Sequence, residues 1–420
     1  MTSSGERLGV LDFVRGIAVL GIFVINIESF AFADAFSPSR FGFSTDLDRD
    51  FRFWTYFLFQ GKFFALFALL FGVGFYLFLE GAAKYGRQGV DLYAHRMLWL
   101  FVFGVLHAYL LWPGDILYHY AVCGLLLLPA RSLRVSQLAA CVVALVVLLG
   151  WQSVASTNRL LNQQAEYEHA VATPAAERDK LQLDVVARWE ERHSPRAAET
   201  EAGGGPRLGG YASNVAANFE SVDVWKGQIY YRGILFRTLL LMLSGILLYR
   251  IGIFHEVLKL KGYWSITAGM LAVGLTANYS RHWAWTYEYF SPVTSYIPAL
   301  GHHFSKEILG IAYLLVLNGI YQKYLHRLSF NPLASVGRMA LTNYLFQSVA
   351  AGFIFYGYGF GLFGSIGRSE LWPLVLAVWT VQLVLSVVWL HYFRQGPMEA
   401  LWRWLMYSTA IRRQGEKCPS

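Results

Sequence analysis

Residues 9–30 read GVLDFVRGIAVLGIFVINIESF. Nearly every position is apolar or small, and at 1.5 Å rise per residue about 20 such residues cross the ~30 Å hydrocarbon layer of a bilayer. Asp12 and Arg15 lie inside the run, and Asn26, fourteen residues beyond Asp12, returns to nearly the same side of a helix. A charge so placed costs at least ~2.5–3.5 kcal/mol on insertion scales, so it is paired, faces a watery cavity or has a task. The run has no small-residue cleavage site and is expected to persist as a helix.

Nine further runs follow, at about 54–80, 95–112, 115–130, 135–154, 229–250, 262–279, 298–320, 335–356 and 371–393. They predict an all-α, polytopic transmembrane bundle of about ten helices. Of 420 residues, 55% are hydrophobic, 17% aromatic and 15% charged, against roughly 25% charged in soluble domains, so the apolar excess has to face lipid. The net charge of +8 is scattered over short loops instead of forming a stripe, which argues against a nucleic-acid partner. Lys84 and Arg96, Arg131 and Arg134, Arg250 and Lys261, and Lys323 and Arg338 follow even-numbered runs, so both termini are expected in the cytoplasm. Cys123 and Cys141 lie within runs and Cys418 in the tail, giving neither a disulfide framework nor a CxxC pair. A Walker P-loop, a GxSxG elbow and a GxGxxG in a strand-turn-helix context are absent.

Four regions follow from this pattern. Residues 1–154 and 229–395 form two transmembrane halves of five runs each. Residues 155–228, rich in Glu, Arg and Lys and then in Gly and Pro, are expected as an extracytoplasmic helical insert that caps the bundle. Residues 396–420, with Met398, Leu401, Trp402, Trp404, Leu405 and Met406, suit an amphipathic helix in the cytoplasmic interface.

Polar residues inside the runs are the candidate site. Asp12 and Arg15, three apart, can pair, either as a structural clamp or as part of a binding stripe with Asn26. Lys62 is either a snorkelling lysine or a fixed cation for a carboxylate or phosphate. The tight Trp112-Pro113-Gly114 corner makes the third and fourth runs antiparallel neighbours, which brings His107 and Asp115 within reach, with His119 one turn further. A His oriented by a carboxylate is the usual general base for a hydroxyl, and such a pair also serves structure alone. His302, His303, Lys306 and Glu307 gather at the start of the eighth run, but no HExxH is present, so a charge network is expected there and no metal. Asn343 and Gln347 share a helix face, as amides that join helices do.

Leu11-Asp12-Phe13-Val14-Arg15-Gly16, Asn26, Gly61-Lys62-Phe63, Leu70-Phe71-Gly72-Val73-Gly74 and Gly114-Asp115-Ile116-Leu117 together resemble the bacterial YeiB-like, or DUF418, membrane proteins. Gly337-Arg338-Met339-Ala340-Leu341-Thr342-Asn343-Tyr344, Gln347-Ser348 and Gly396-Pro397-Met398-Glu399 continue the likeness through the second half. The N-terminal half is also similar to transmembrane acyltransferases of the heparan-α-glucosaminide N-acetyltransferase type. That resemblance implies a bacterial inner-membrane location, cytoplasmic acyl-CoA as cosubstrate, no tightly bound cofactor, and a glycan or lipid hydroxyl or amine as extracytoplasmic acceptor. The acetyltransferases carry a catalytic His in the loop after the first helix. This chain has none between Asn26 and Lys62, which leaves His107. On this reading His107 and Asp115 are catalytic, and Asn26, Lys62, Asp12, Arg15, His119, His303 and Asn343 contact substrate. The alternative is a transporter, flippase or lipid- or quinone-binding protein that uses the same buried charges without catalysis.

Overall fold

The computed structural model describes residues 4–33, 35, 43–82, 87–193, 205–226, 229–254, 257–287, 296–325 and 331–415; Lys84 and Cys418 lie outside them. The described residues are helical, with no strand among them. In chain order the helices are α1 (Ser4–Ala31), α2 (Asp46–Phe59), α3 (Lys62–Ala82), α4 (Arg87–Leu110), α5 (Leu117–Leu126), α6 (Val135–Ala172), α7 (Lys180–His193), α8 (Tyr211–Lys226), α9 (Ile229–Arg250), α10 (Tyr263–Tyr287), α11 (Tyr296–Ile320), α12 (Asn331–Arg338), α13 (Ala340–Phe355), α14 (Leu371–Tyr392) and α15 (Pro397–Gly415). Seven stretches are long and apolar enough to cross a membrane, while Leu117–Leu126 and Ala340–Phe355 are apolar but shorter. This is a multipass protein of the lipid bilayer.

All ten expected runs are helical, but the second and the ninth are not continuous; the ninth breaks at Met339, between α12 and α13. Thr45 caps α2 by accepting from the Asp48 amide at 3.1 Å, and α2 stops at Phe59. Gly61 then adopts φ +78°, where a Cβ is unfavourable and would also meet the Lys306 side chain. The apolar pattern runs straight through this break, so hydropathy alone could not place it.

Helix α1 is the axis of the assembly and is packed by α2, α3, α11, α12, α13 and α14. Two glycine pairs set the closest crossings. A Cβ on Gly16 would strike the Leu333 carbonyl and one on Gly337 the Asp12 carbonyl, so α1 and α12 touch backbone to backbone. Gly72 against the Met242 carbonyl and Gly245 against the Leu69 carbonyl do the same for α3 and α9. One hydrophobic cluster fills the bundle between α1, α3, α4, α5 and α9. A second joins Phe23, Ile27 and Phe30 of α1 to Trp112, Phe355 and Val375.

The expected insert begins as a continuation of a membrane helix. At 38 residues α6 is about 57 Å long, well beyond one bilayer crossing. Its far end carries α7, with Tyr167 stacked on Trp189 at 5.2 Å. Helix α8 lies against the end of α4: Tyr211 donates to the Leu110 carbonyl at 3.0 Å, and Tyr109 and Phe219 pack at 4.5 Å. Helix α15 meets the other end of α4, where the Trp402 indole donates to the Arg96 carbonyl at 2.9 Å.

Candidate functional site

The corner between α4 and α5 falls where Trp112-Pro113-Gly114 places it. The amides of Leu111 and Trp112 both donate to the His107 carbonyl at 2.9 Å, ending α4 in a tight turn. Gly104 lets α5 fold back, since a Cβ there would strike the Tyr118 amide and lie 2.8 Å from Asp115 Oδ2. That oxygen accepts from the Tyr118 amide at 3.1 Å, so Asp115 holds the first turn of α5 and is itself held. Its other oxygen, Oδ1, lies 2.8 Å from His107 Nδ1. The contact is close but is not a straight hydrogen bond, because Oδ1 stands off the ring N–H direction.

The opposite ring nitrogen, His107 Nε2, is 2.8 Å from Ser348 Oγ on α13. Asp115, His107 and Ser348 are 1%, 2% and 4% exposed, so the array is shielded from bulk water. A carboxylate beside Nδ1 favours the tautomer that carries its proton there, and in that tautomer Nε2 accepts from the serine hydroxyl. The imidazole is further fixed by Tyr344, whose ring centre is 5.1 Å away, and by Trp112 at 6.4 Å.

Beneath this array lies a cavity of about 250 Å³. Arg15, Arg96, Arg338 and Glu399 line one part of it, and Phe67, Leu70, Phe71, Leu100, Tyr120 and Tyr344 line much of the rest. Arg96 lies over the Trp402 ring at 4.1 Å, and Arg338 donates to the Arg394 carbonyl at 2.9 Å. Arg15 alone of the three forms an ion pair among the described residues, with Asp12 at 2.7 Å. Glu399 is spent on structure: it accepts from the Leu341 amide at 2.7 Å, the Thr342 amide at 3.1 Å and the Thr342 hydroxyl at 2.5 Å. Burial nonetheless holds its carboxyl above the usual range. Three guanidiniums beside an apolar hollow suit an anionic head with a hydrocarbon tail. Ile116 and Leu117, which follow Asp115, also line the cavity, as does Tyr344, which packs on His107. Ile116, Leu117 and Tyr344 thus stand between the hollow and the Asp115–His107–Ser348 array.

The remaining expected residues do not join this chamber. Lys62 is fully buried and donates to the Tyr56 carbonyl at 2.9 Å. His119 Nε2 sits 2.9 Å from Thr238 Oγ1 on α9. Arg237 pairs with Glu307 and donates to the His303 carbonyl, so the cluster on α11 is a charge network. Asn343 donates to Ser386 at 3.0 Å and receives Gln382, which also accepts from Gln347; these amides tie α13 to α14. Asn26 is half-buried on α1 and does not line the cavity. Near it, Glu28 is held between Arg52 at 3.1 Å and Arg368 at 2.9 Å. Ser348, Arg96 and Arg338 escaped sequence reasoning as site residues. Gln347-Ser348 was visible as a motif, but only folding shows which helix it faces.

The model for "Protein of unknown function (DUF418)" matches residues 248–409. An uncharacterized protein of Bacillus subtilis, YxaH, is 30% identical over 413 residues, covering 97% of this chain and 96% of its own. The uncharacterized YeiB of Escherichia coli is 30% identical over 425 residues, covering 96% of this chain and 97% of its own. A 39.9 kDa protein encoded beside an amylase in Bacillus acidopullulyticus is 28% identical, over 96% of this chain and 94% of its own. No solved structure matches. Relatives this similar along almost the whole length place the chain in the DUF418 family of multipass membrane proteins.

Proposed function

We propose that the protein is a membrane-embedded acyltransferase that moves an acyl group from acyl-CoA to a hydroxyl or amine of a glycan or lipid on the opposite side of the membrane. The observation that carries this reading is the buried His107, set between Asp115 and a hydroxyl and abutting an apolar cavity with three arginines. The donor's phosphates meet Arg15, Arg96 and Arg338 from the cytoplasm, and its chain enters the hollow. His107, held in one tautomer by Asp115, then withdraws the proton that makes the attacking oxygen or nitrogen nucleophilic.

A second reading has one observation in its favour. None of His107, Asp115 and Ser348 lines the cavity itself, which would suit a protein that holds a single-chain lipid or quinone without turning it over. One experiment separates the two. Purified protein in lipid nanodiscs is given radiolabelled acyl-CoA and a lipid or glycan acceptor, and binding and transfer are measured for wild type and His107→Ala. We expect the variant to bind the donor normally and transfer about 10²–10⁴-fold more slowly. Equal turnover removes the acyltransferase mechanism, and binding without transfer in wild type favours the second reading.

A further inference from the structure

We propose that Ser348 is the nucleophile that carries the acyl group between two half-reactions. The inference rests on the acyl-transfer reading above and adds a covalent intermediate to it. Serines and threonines inside helices commonly return their proton to the carbonyl one turn back. Thr238, Thr267, Ser221, Thr380 and Ser408 all do so here, at 2.7–2.8 Å. Ser348 makes no such bond among the described residues, and its Oγ faces His107 Nε2 at 2.8 Å.

The contrast with the other buried His–hydroxyl contact is informative. Thr238 Oγ1 gives its proton to the Ile234 carbonyl at 2.8 Å, so toward His119 it can only accept. That contact is a structural tie. At Ser348 the proton is directed to an imidazole whose far nitrogen stands beside a carboxylate, the arrangement that activates a hydroxyl. The three groups come from α4, the corner before α5 and α13, and two helix packings are needed to align them.

The chemistry balances with a thioester as donor. Ser348 Oγ attacks the thioester carbonyl carbon as its proton passes to His107 Nε2, forming a C–O bond. The tetrahedral oxyanion collapses, the C–S bond breaks with its electron pair on sulfur, and His107 returns the proton so that free thiol leaves. An acyl ester remains on Ser348. In the second half-reaction His107 takes a proton from the acceptor hydroxyl or amine, which attacks the ester, and the proton returns to Ser348 Oγ as its C–O bond breaks. Such a carrier spares donor and acceptor from being bound together. A hollow of about 250 Å³ is at the small end for even one ligand, since ligand pockets run ~300–1,000 Å³.

The test uses full-length protein in nanodiscs with no acceptor present. It is exposed in parallel to a medium-chain acyl-CoA and to an alkyl fluorophosphonate, and the modified residue is found by peptide mass spectrometry. We expect both adducts on Ser348, at least tenfold less of each in His107→Ala, and none at this position in Ser348→Ala. Ser348→Cys, close in size, should trap the acyl group as a thioester, and monodisperse elution confirms that each variant folds. A phosphonyl adduct on Ser348 with no acyl adduct upholds the nucleophile and removes acyl-CoA as donor, which separates this inference from the reading it rests on. Acyl transfer at wild-type rate by Ser348→Ala, an acyl adduct on another residue, or neither adduct in folded wild type overturns it.

Discussion

Asp115 does two jobs with its two oxygens, and they can be separated. Oδ2 accepts from the Tyr118 amide and starts α5, whereas Oδ1 faces His107. Asp115→Asn keeps an oxygen for the amide but replaces the charge beside Nδ1 by a neutral group. The imidazole is then free to take the other tautomer, and the cation that forms when it accepts a proton loses its counter-charge. We expect the helix start to survive, with the thermal midpoint within a few degrees of wild type, and transfer to fall about 10³-fold. A variant that transfers at wild-type rate would reduce Asp115 to a helix cap. Arg96 also lines the cavity, and on the proposed reading it serves donor binding and not the chemical step. Arg96→Ala should raise the KM for acyl-CoA roughly tenfold with little change in kcat, since a charge-assisted hydrogen bond to phosphate contributes about 1.5–3 kcal/mol and aqueous exposure reduces it. An unchanged KM would place the donor's head elsewhere.

Between elements, glycines decide what can meet. Gly104 sits where α5 turns back onto α4, and any side chain there intrudes on the Tyr118 amide and on Asp115. Gly104→Ala should therefore tilt α5 away, lengthen the His107–Asp115 contact and remove activity out of proportion to stability. Overpacking of this kind costs typically 1–3 kcal/mol, enough to shift unfolding in detergent by several degrees without preventing folding. A variant of full activity would show that the corner yields without moving Asp115. The sequence made much of this legible. Apolar run length announces a helix in a bilayer, where every backbone amide must be bonded internally, and Pro113-Gly114 announces the corner that brings His107 to Asp115. The bend at Gly61 was hidden because α2 and α3 are both apolar and hydropathy does not report φ. Ser348 was hidden for a different reason: 241 residues separate it from His107, and their contact exists only once α13 has packed. The polar residues on α1, α3 and α11 looked alike in sequence, yet of those expected at the site Arg15 lines the cavity, whereas Lys62 is held by the Tyr56 carbonyl and Glu307 by Arg237.

Across the whole molecule, α4 orients the chemistry relative to the membrane. Arg96 and Leu110 are fourteen residues apart on it, about 21 Å along its axis, with α15 at the Arg96 end and α8 at the Leu110 end. The cavity arginines and the tail thus share one face of the bundle, and the polar helices of 155–226 belong to the other. Basic loops favour the cytoplasm, so the arginine face is expected there, with acyl-CoA arriving on it and the acceptor approaching from the side of α7 and α8. Single cysteines test this in a chain whose Cys123, Cys141 and Cys418 are replaced by serine. Glu177→Cys, exposed between α6 and α7, should react with a membrane-impermeant maleimide in intact spheroplasts. Arg403→Cys, exposed on α15, should react only after lysis. The reverse pattern would turn the cavity outward, where no acyl-CoA is available, and the bundle would then need a donor from the far side or a different task altogether.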